Sequence, residues 1–312
     1  MQAISDEFSW PHSSSPAEIL DFHASMLLDE ARMAAFYDAI LATVMPGDVV
    51  IDIGTGTGIL SLMACRAGAS RVYAVESGPV IEVARELVEH NGFGDRIVFV
   101  NQPSTYAELP ERADLLITET IGNAAFDEGI VAWAQDARDR LLKPDARIVP
   151  QRVDLLVAAV ESWDEHAQVA DWSASSLPFD FGPVRRRAEQ IVWFADLETK
   201  HLLSEPVGAL SIDLRTVSDT RLTAAGELVS TRSGALHGLA CWFDAELVSG
   251  ITLTNAPPTD APSWAQGFMP VRRPVSVAAG DVITWTVSLY ADGSGWEWDI
   301  DVAQARPRSA SR

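Results

Sequence analysis

A glycine-rich turn between a short apolar run and a helical pattern constrains the fold of this chain more than any other feature. The run VVIDIG at 49–54 leads into Thr-Gly-Thr-Gly at 55–58, and a helical pattern begins at Ile59. Glycines at such a turn let the backbone reverse tightly and let a ligand lie against it without a Cβ in the way. The segment therefore predicts a buried strand, a ligand-binding turn and a helix in immediate succession.

The rest of the first half repeats this alternation. Short runs rich in β-branched residues occur at VYAVE (72–76), IVFV (97–100) and DLLITE (114–119), and stretches that suit crossover helices lie at 59–68, 79–91 and 127–142. Apolar residues also recur at helical spacing from Ala17 to Leu41. We predict an α/β fold, with a Rossmann-like doubly wound parallel sheet over residues 17–150 after a flexible segment at 1–16.

After Pro150 the pattern changes to β-rich segments separated by Gly, Pro and Asn. The clearest segments are Val153–Val160, Ala209–Val217, Leu236–Phe243 and Asp281–Tyr290. Eight of the ten tryptophans also lie in this half, which is typical of an antiparallel β domain. We predict a β-barrel domain over 151–306, interrupted by a helical, aromatic-tipped insertion at about 161–190 and followed by a tail at 307–312.

The spacing of the glycines restricts the ligand class. A dinucleotide fingerprint needs glycine at its sixth place, where Ile59 stands, and the Gly-Lys-Ser/Thr of a phosphate-binding loop is absent. Glu76 ends the second run, where it could accept hydrogen bonds from ribose hydroxyls. This combination fits a nucleoside without a pyrophosphate, such as S-adenosyl-L-methionine; a nicotinamide cofactor is the alternative.

The charge balance limits the classes of molecule that the protein is expected to bind. Lys and Arg number 23 against 44 Asp and Glu, a net charge of −21. Such a field repels nucleic acid and anionic membrane surfaces and attracts a cationic substrate, although solubility alone would also explain it. Cys65 and Cys241 are far apart, so we predict neither a disulfide framework nor a metal site. No apolar run reaches about 18 residues, and we expect a cytoplasmic protein.

Four longer stretches carry a family resemblance. They are MLLDEARMAAFYDAI (26–40), VVIDIGTGTGILSLMACRAGASRVYAVE (49–76), TETIGNAAFDEGI (118–130) and ARDRLLKPDARIVP (137–150). From about Phe22 to Val302 the chain resembles the class I S-adenosylmethionine-dependent methyltransferases, and within them the protein arginine N-methyltransferases. The resemblance implies S-adenosyl-L-methionine as cofactor and S-adenosyl-L-homocysteine as product. It also implies a homodimer, because LPFDFG at 177–182 resembles the tip of the arm that docks on a second subunit.

The resemblance identifies Glu119 and Glu128 as the catalytic pair. A guanidinium is planar and stays protonated, so its nitrogens are poor nucleophiles. Two carboxylates can hold it bidentately, aim one nitrogen at the methyl group and draw positive charge away. The alternative is two solvated loop acids in a chain that has many.

The cofactor residues that the resemblance implies fall on one helix, on the glycine turn and on the loops that follow the later strands. They are His23, Met26, Arg32, Asp52, Gly54, Thr55, Gly56, Gly58, Glu76, Ser104, Thr105 and Glu119. Arg32 matches the arginine that holds the cofactor carboxylate, but it could instead pair with Asp29 on the same helix face. Met26, near the methyl group by resemblance, could be core filling.

Three departures from the family pattern concern the cofactor lid, the adenine and the substrate site. The helix before His23 reads SSSPAEIL without tyrosine, and Ser104 or Thr105 replaces the usual acid at the adenine. The family's Thr-His-Trp reads Pro-Ser-Trp at 262–264, which removes a partner of the catalytic acids. The substrate-binding residues that the resemblance implies are Glu119, Glu128, Met26, Ser263 and Trp264.

We therefore predict an enzyme that methylates a guanidino nitrogen. The acceptor would be protein or peptide arginine, or free arginine or a related small molecule. The alternatives are transfer to another amine or hydroxyl in a biosynthetic pathway, and a non-catalytic partner of an active methyltransferase.

Overall fold

The computed structural model describes residues 15–170, 179–258 and 263–303. The helices are α1 (Pro16–Leu27), α2 (Glu30–Thr43), α3 (Ile59–Ala67), α4 (Ile81–His90), α5 (Ile130–Arg140), α6 (Trp163–Ala170) and α7 (Gly182–Ala188). The strands are β1 (Val49–Ile53), β2 (Arg71–Val75), β3 (Ile97–Val100), β4 (Ala113–Thr118), β5 (Leu142–Val149), β6 (Arg152–Val160), β7 (Trp193–Ala195), β8 (Val207–Asp213), β9 (Arg221–Val229), β10 (Gly234–Val248), β11 (Ile251–Thr254), β12 (Gln266–Val277), β13 (Val282–Tyr290) and β14 (Glu297–Ala303). The predicted tail and all but two residues of the predicted N-terminal segment lie outside the described residues.

The first half is a five-stranded parallel sheet in the order β3-β2-β1-β4-β5. The three central strands, β2, β1 and β4, are apolar and nearly all buried, as expected where helices cover both faces. The prediction of a doubly wound sheet is confirmed, and β5 adds a strand that the sequence pattern did not reveal. Because the strand order reverses between β1 and β4, a crevice opens at their carboxyl ends, where such folds bind ligands.

The helical pattern at 17–41 is divided into α1 and α2. The break falls at Asp29, which caps α2 by accepting a 3.0 Å hydrogen bond from the Arg32 backbone N–H through Oδ1. A capping box between Ser15 and Glu18 starts α1, none of whose residues is buried. Asp29 therefore begins a new helix inside a stretch whose apolar spacing looks continuous.

The second half is antiparallel, as predicted. One sheet has the order β7-β12-β10-β6-β8, with β11 beside β10, and a three-stranded sheet has the order β14-β13-β9. The sequence pattern did not reveal β12, whose second half is exposed and carries the run Arg-Arg-Pro at 272–274. The predicted insertion contains α6 and α7; residues 171–178 between them, which include the first two residues of LPFDFG, lie outside the described residues.

The loop after β4 is tied to the antiparallel half by hydrogen bonds around Asn123. The Asn255 side chain donates to the Asn123 carbonyl at 2.9 Å, and the Asn123 side chain accepts from the Ala265 backbone at 2.7 Å. The Trp264 indole donates to the Ile121 carbonyl at 3.1 Å. The loop that carries Glu119 and Glu128 is thereby held between the two halves of the molecule.

Within the described residues, no helix is long and apolar enough to span a membrane.

Candidate active site

The glycine turn lies at the carboxyl end of β1 and is fixed from beneath. Asp52 is fully buried and accepts hydrogen bonds from the hydroxyls of Thr55, at 2.6 Å, and Ser61, at 2.7 Å. Burial raises the pKa of Asp52 to about 6, although both hydroxyls favour the ionised carboxylate. The Asp52 side chain thus shapes the turn, and Ser61 joins it as a residue that the sequence did not indicate.

The outer side of the turn approaches α1. Gly56 has a φ of 54°, and a Cβ placed on it would lie 3.2 Å from the imidazole of His23. Burial lowers the pKa of His23, which is therefore neutral near pH 7. His23 accordingly lies across the glycine turn, and Met26 is half-buried one turn further along the helix.

Glu76 closes the other side of the turn. Its carboxylate accepts the backbone N–H of Gly56 at 3.1 Å and that of Gly78 at 2.6 Å. Each carboxylate oxygen can accept more than one hydrogen bond, so both remain able to receive ribose hydroxyls. A turn with glycine at 54, 56 and 58, next to such a carboxylate, fits a nucleoside.

Ser104 and Thr105 occupy a single 3₁₀ turn after β3. Ser104 is buried and its carbonyl accepts a 2.9 Å hydrogen bond from Arg140 of α5, whereas Thr105 is exposed. Among the described residues, no hydrogen bond joins either of them to the glycine turn. Their predicted contact with the adenine stays a prediction.

Arg32 and Glu119 form an ion pair inside the crevice. Only 6% of the Arg32 side chain and 10% of the Glu119 side chain are exposed. The Arg32 guanidinium also lies over the Trp264 ring, 4.4 Å from its centroid. Burial lowers the pKa of Arg32 to about 10, against the opposing influence of Glu128 and Asp29, so the side chain remains a cation.

Ser263 connects Arg32 to Asp29. Its hydroxyl donates to Asp29 Oδ2 at 2.6 Å and accepts from Arg32 Nη1 at 3.3 Å. Asp29 is fully buried, and its other oxygen caps α2. Sequence reasoning considered Asp29 only as a rival partner for Arg32; its N-cap position before the helix was the available signal.

Besides Asp52 Oδ1 beneath the glycine turn, two polar atoms of the crevice are buried without a hydrogen-bond partner. They are Arg32 Nε and Glu119 Oε1. A buried N–H and a buried carboxylate oxygen left in this state are costly unless a ligand completes them. Arg32 Nε–H could donate to a carboxylate, and Glu119 Oε1 could accept from a cationic N–H donor.

Glu128 lies further along the same loop, directly before α5. Its backbone carbonyl accepts the Trp133 indole N–H at 2.8 Å, while its side chain is accessible to solvent. The surrounding protein nevertheless desolvates the carboxyl group and raises its pKa to about 7; Asp127 adds to this and Arg32 opposes it. Glu128 thus presents a carboxylate without a fixed partner to the open side of the crevice.

The structure therefore brings most of the predicted residues to one crevice. Beside the glycine turn and Glu76 lie His23, Arg32, Glu119, Ser263 and Trp264, and Arg32 interacts electrostatically with Glu128. Among the described residues, no group of three or more His, Cys, Asp or Glu side chains could hold a metal ion.

Two family models match the chain. Residues 151–303 match the "Arginine methyltransferase oligomerization subdomain", and residues 35–148 match the "Ribosomal protein L11 methyltransferase (PrmA)" model. The two matches cover the antiparallel half and most of the parallel half, respectively.

Named relatives resemble the chain over most of its length. It is 29% identical over 300 residues to protein arginine N-methyltransferase 1 of Schizosaccharomyces pombe, covering 93% of this chain and 88% of that protein. It is 32% identical over 269 residues to the arginine N(omega)-methyltransferase of Streptomyces achromogenes, covering 84% of this chain and 74% of that protein.

Solved structures show the same architecture. The "Trypanosoma brucei PRMT1 enzyme-prozyme heterotetrameric complex with AdoHcy" superposes with a TM-score of 0.75 at 26% identity, over 85% of this chain and 86% of that one. Arabidopsis thaliana protein arginine methyltransferase 10 superposes with a TM-score of 0.75 at 23% identity, over 91% of this chain and 99% of that one, and supports the fold alone.

Proposed function

Because this chain belongs to the arginine N-methyltransferase family, we propose that Glu119 and Glu128 hold the acceptor guanidinium in its reaction. The protein is an S-adenosylmethionine-dependent enzyme that methylates a guanidino nitrogen of arginine. Transfer to another amine or hydroxyl is not favoured by these relatives. The roles of individual residues are our proposal.

The observation that carries this proposal is the unused hydrogen-bonding capacity of the two glutamates. Glu119 Oε1 is buried without a partner. Within the described residues, the Glu128 carboxylate interacts with Asp127 and Arg32 through charge alone, not through a hydrogen bond. A guanidinium offers five N–H donors in a rigid plane, enough to engage both carboxylates at once. Arg32, stacked on Trp264 and paired with Glu119, demonstrates that the crevice already accommodates one guanidinium.

We assign the cofactor to the other end of the crevice. Gly54, Gly56 and Gly58 would line its nucleoside, and Glu76 would accept the ribose hydroxyls. Arg32, with an unpaired Nε–H, would hold its carboxylate, and Asp52 and Thr55 would act by shaping the turn. When bound, S-adenosylmethionine supplies an electrophilic methyl group on a sulfonium.

The protein's contribution is orientation and electrostatics. Glu119 and Glu128 would fix the guanidinium plane so that one nitrogen faces the methyl group, which removes the entropic cost of a random encounter. Both carboxylates would also attract the positive charge away from that nitrogen. After transfer the nitrogen releases a proton, and we assign its acceptance to a carboxylate oxygen of Glu128, whose pKa lies near neutrality.

The acceptor could be a polypeptide arginine or a small molecule, and a mass-spectrometric methylation assay separates these cases. Purified protein and S-adenosylmethionine would be offered L-arginine, agmatine and an arginine-rich peptide side by side. We expect the mass gain of one methyl group, localised to the guanidino group, on at least one acceptor. No transfer to any of them, with S-adenosylhomocysteine binding intact in calorimetry, would contradict the proposed acceptor class.

We further propose that the protein is a homodimer joined through its arm. The match to an oligomerisation subdomain supports association, and the T. brucei relative is described as a heterotetrameric complex. Two aromatic side chains of the insertion, Trp163 and Phe179, are 62% and 71% exposed. Aromatic side chains are enriched at protein–protein interfaces relative to the rest of the surface, which is consistent with an interface at the arm.

The domain limits and the location also remain our proposals. We place the cofactor domain at 17–150 and the substrate domain at 151–306, with the arm at about 161–190. Cys65 and Cys241 are both free thiols, and a cytoplasmic location accords with them.

A further inference from the structure

The turn between β13 and β14 presses against the backbone on both sides of Glu128. A Cβ placed on Gly293, at the centre of this turn, would lie 2.6 Å from the Phe126 carbonyl oxygen and 2.8 Å from the Asp127 carbonyl carbon. A Cβ placed on Gly129 would lie 2.9 Å from the Asp292 carbonyl oxygen. The two segments therefore meet backbone to backbone, with no space for a side chain at either glycine.

The turn itself is held in place from several directions. Its Ala291 carbonyl accepts the Ala132 backbone N–H from the first turn of α5 at 3.0 Å. The Ala291 N–H donates to the Thr220 carbonyl at 3.0 Å, and the Trp296 indole donates to the Gly293 carbonyl at 3.0 Å. The turn is thus anchored to α5 and to the loop before β9, and it is closed internally by the bond from Trp296.

This backbone contact bears on where the Glu128 side chain starts. That side chain has no hydrogen-bond partner among the described residues, and only the Glu128 carbonyl is fixed, by the Trp133 indole. The backbone at 126–129 therefore fixes the Cα and Cβ of Glu128, and with them the region that the carboxylate can reach. We propose that Gly293 is a positioning residue that sets the Glu128 carboxylate by supporting this backbone from behind.

The proposal rests on the role given to Glu128 above, and a pair of glycine substitutions tests it. Gly293→Ala introduces a Cβ that must displace the 126–127 backbone. Gly280→Ala is the matched control: Gly280 has a φ of 92° against 84° for Gly293, lies in the turn before β13, and has nothing within 4 Å of its ideal Cβ. Both variants carry the same backbone strain, and only the first disturbs the Glu128 loop.

We expect kcat of Gly293→Ala to fall about tenfold or more relative to Gly280→Ala, because displacing a catalytic group by a fraction of an ångström is enough for such a loss. The acidic limb of its pH–rate profile should also move, since the surroundings of the Glu128 carboxyl group change. The affinity for S-adenosylhomocysteine should be equal in the two variants, because the glycine turn at 54–58 is untouched. Equal kcat and equal pH profiles would overturn the proposal.

Two further measurements keep the test decisive. If Gly293→Ala does not fold, Trp296→Phe keeps a six-membered aromatic ring at this position and removes the indole N–H that holds the Gly293 carbonyl. It should show a smaller fall in kcat in the same direction; a wild-type rate would then count against the proposal. Hydrogen exchange of the 124–133 backbone should be faster in Gly293→Ala than in Gly280→Ala. The exchange measurement does not depend on the acceptor. A wild-type protein that fails to methylate arginine would therefore contradict the proposed function, whereas equal exchange in the two variants would contradict the contact between Gly293 and the Glu128 loop.

Discussion

Arg32 and Glu119 form a buried ion pair that joins the two ends of the crevice, the end assigned to the cofactor and the end assigned to the acceptor. Removing one partner of a buried pair leaves an uncompensated charge, which costs about 3–5 kcal/mol. A substitution at either residue should therefore affect both the cofactor end and the acceptor end of the crevice.

Glu119→Gln keeps the size of the side chain and removes its charge. We expect kcat to fall about 100-fold, as when one preorganised electrostatic contact is lost from an active site. Glu108→Gln, an exposed residue of the same half, makes the same change of charge away from the crevice and should leave kcat unaltered. Steady-state turnover with the best acceptor measures both; an E119Q variant within a few-fold of wild type would exclude the guanidinium clamp.

Ser263→Ala tests the link between Asp29 and Arg32. The change leaves Asp29 Oδ2 without its 2.6 Å donor and Arg32 Nη1 without its acceptor. Loss of such a buried hydrogen bond costs about 1–3 kcal/mol, and we expect it as weaker binding of S-adenosylhomocysteine in calorimetry. Ser263→Thr retains the hydroxyl and should bind like wild type, whereas equal binding by S263A would show that the hydroxyl does not position Arg32.

The raised pKa of Glu128, about 7, predicts that activity depends on pH near neutrality. The ionised carboxylate is the form that binds a guanidinium, so kcat/KM for the acceptor should rise as the pH passes upward through about 7. Glu128→Gln should be slow and should lack this limb. A profile flat between pH 6 and 8 in the wild type would be inconsistent with the role of Glu128.

The raised pKa of Glu128 also predicts how the stability of the protein changes with pH, in the direction opposite to the change in activity. This pKa is raised above the ordinary value of 4.5, so between that value and about 7 the folded state binds more protons than the unfolded state. The free energy of unfolding contributed by Glu128 should therefore fall as the pH rises through this window. Urea unfolding at several pH values measures the free energy of unfolding of wild type and E128Q. The difference between the two proteins should shrink or reverse at low pH.

Phe179→Asp tests the proposed homodimer. A charged side chain at a buried aromatic contact must be desolvated on association, so we expect the dimer to weaken at least about tenfold, the effect of losing a central interface residue. Val229→Asp, at an exposed apolar residue of β9 outside the arm, is the control. Sedimentation velocity over a range of concentrations distinguishes the two; a monomer in the wild type would remove the proposal.

Local patterns were sufficient for much of this protein. Strands buried on both faces have a composition of their own, and a turn that must pass close to a ligand needs glycine, so residues 49–58 already predicted β1, the turn and α3. The break at Asp29 escaped detection because a capping residue can interrupt a helix without disturbing its apolar spacing. The strand β12 escaped detection because its buried half reads Gln-Gly-Phe-Met-Pro, without a β-branched residue, and its exposed half carries Arg272 and Arg273.

The α/β order, the ligand-binding turn and the residue types available for chemistry could be predicted from the sequence, because these depend on neighbours a few positions apart. The partners of these residues depend on the three-dimensional packing of the chain. Arg32 meets Ser263 across 231 positions of sequence, and Gly293 meets Phe126 from the far end of the chain. Such contacts arise from the packing of the two halves, and whether a buried charge is paired or left free depends on distances that no local pattern contains.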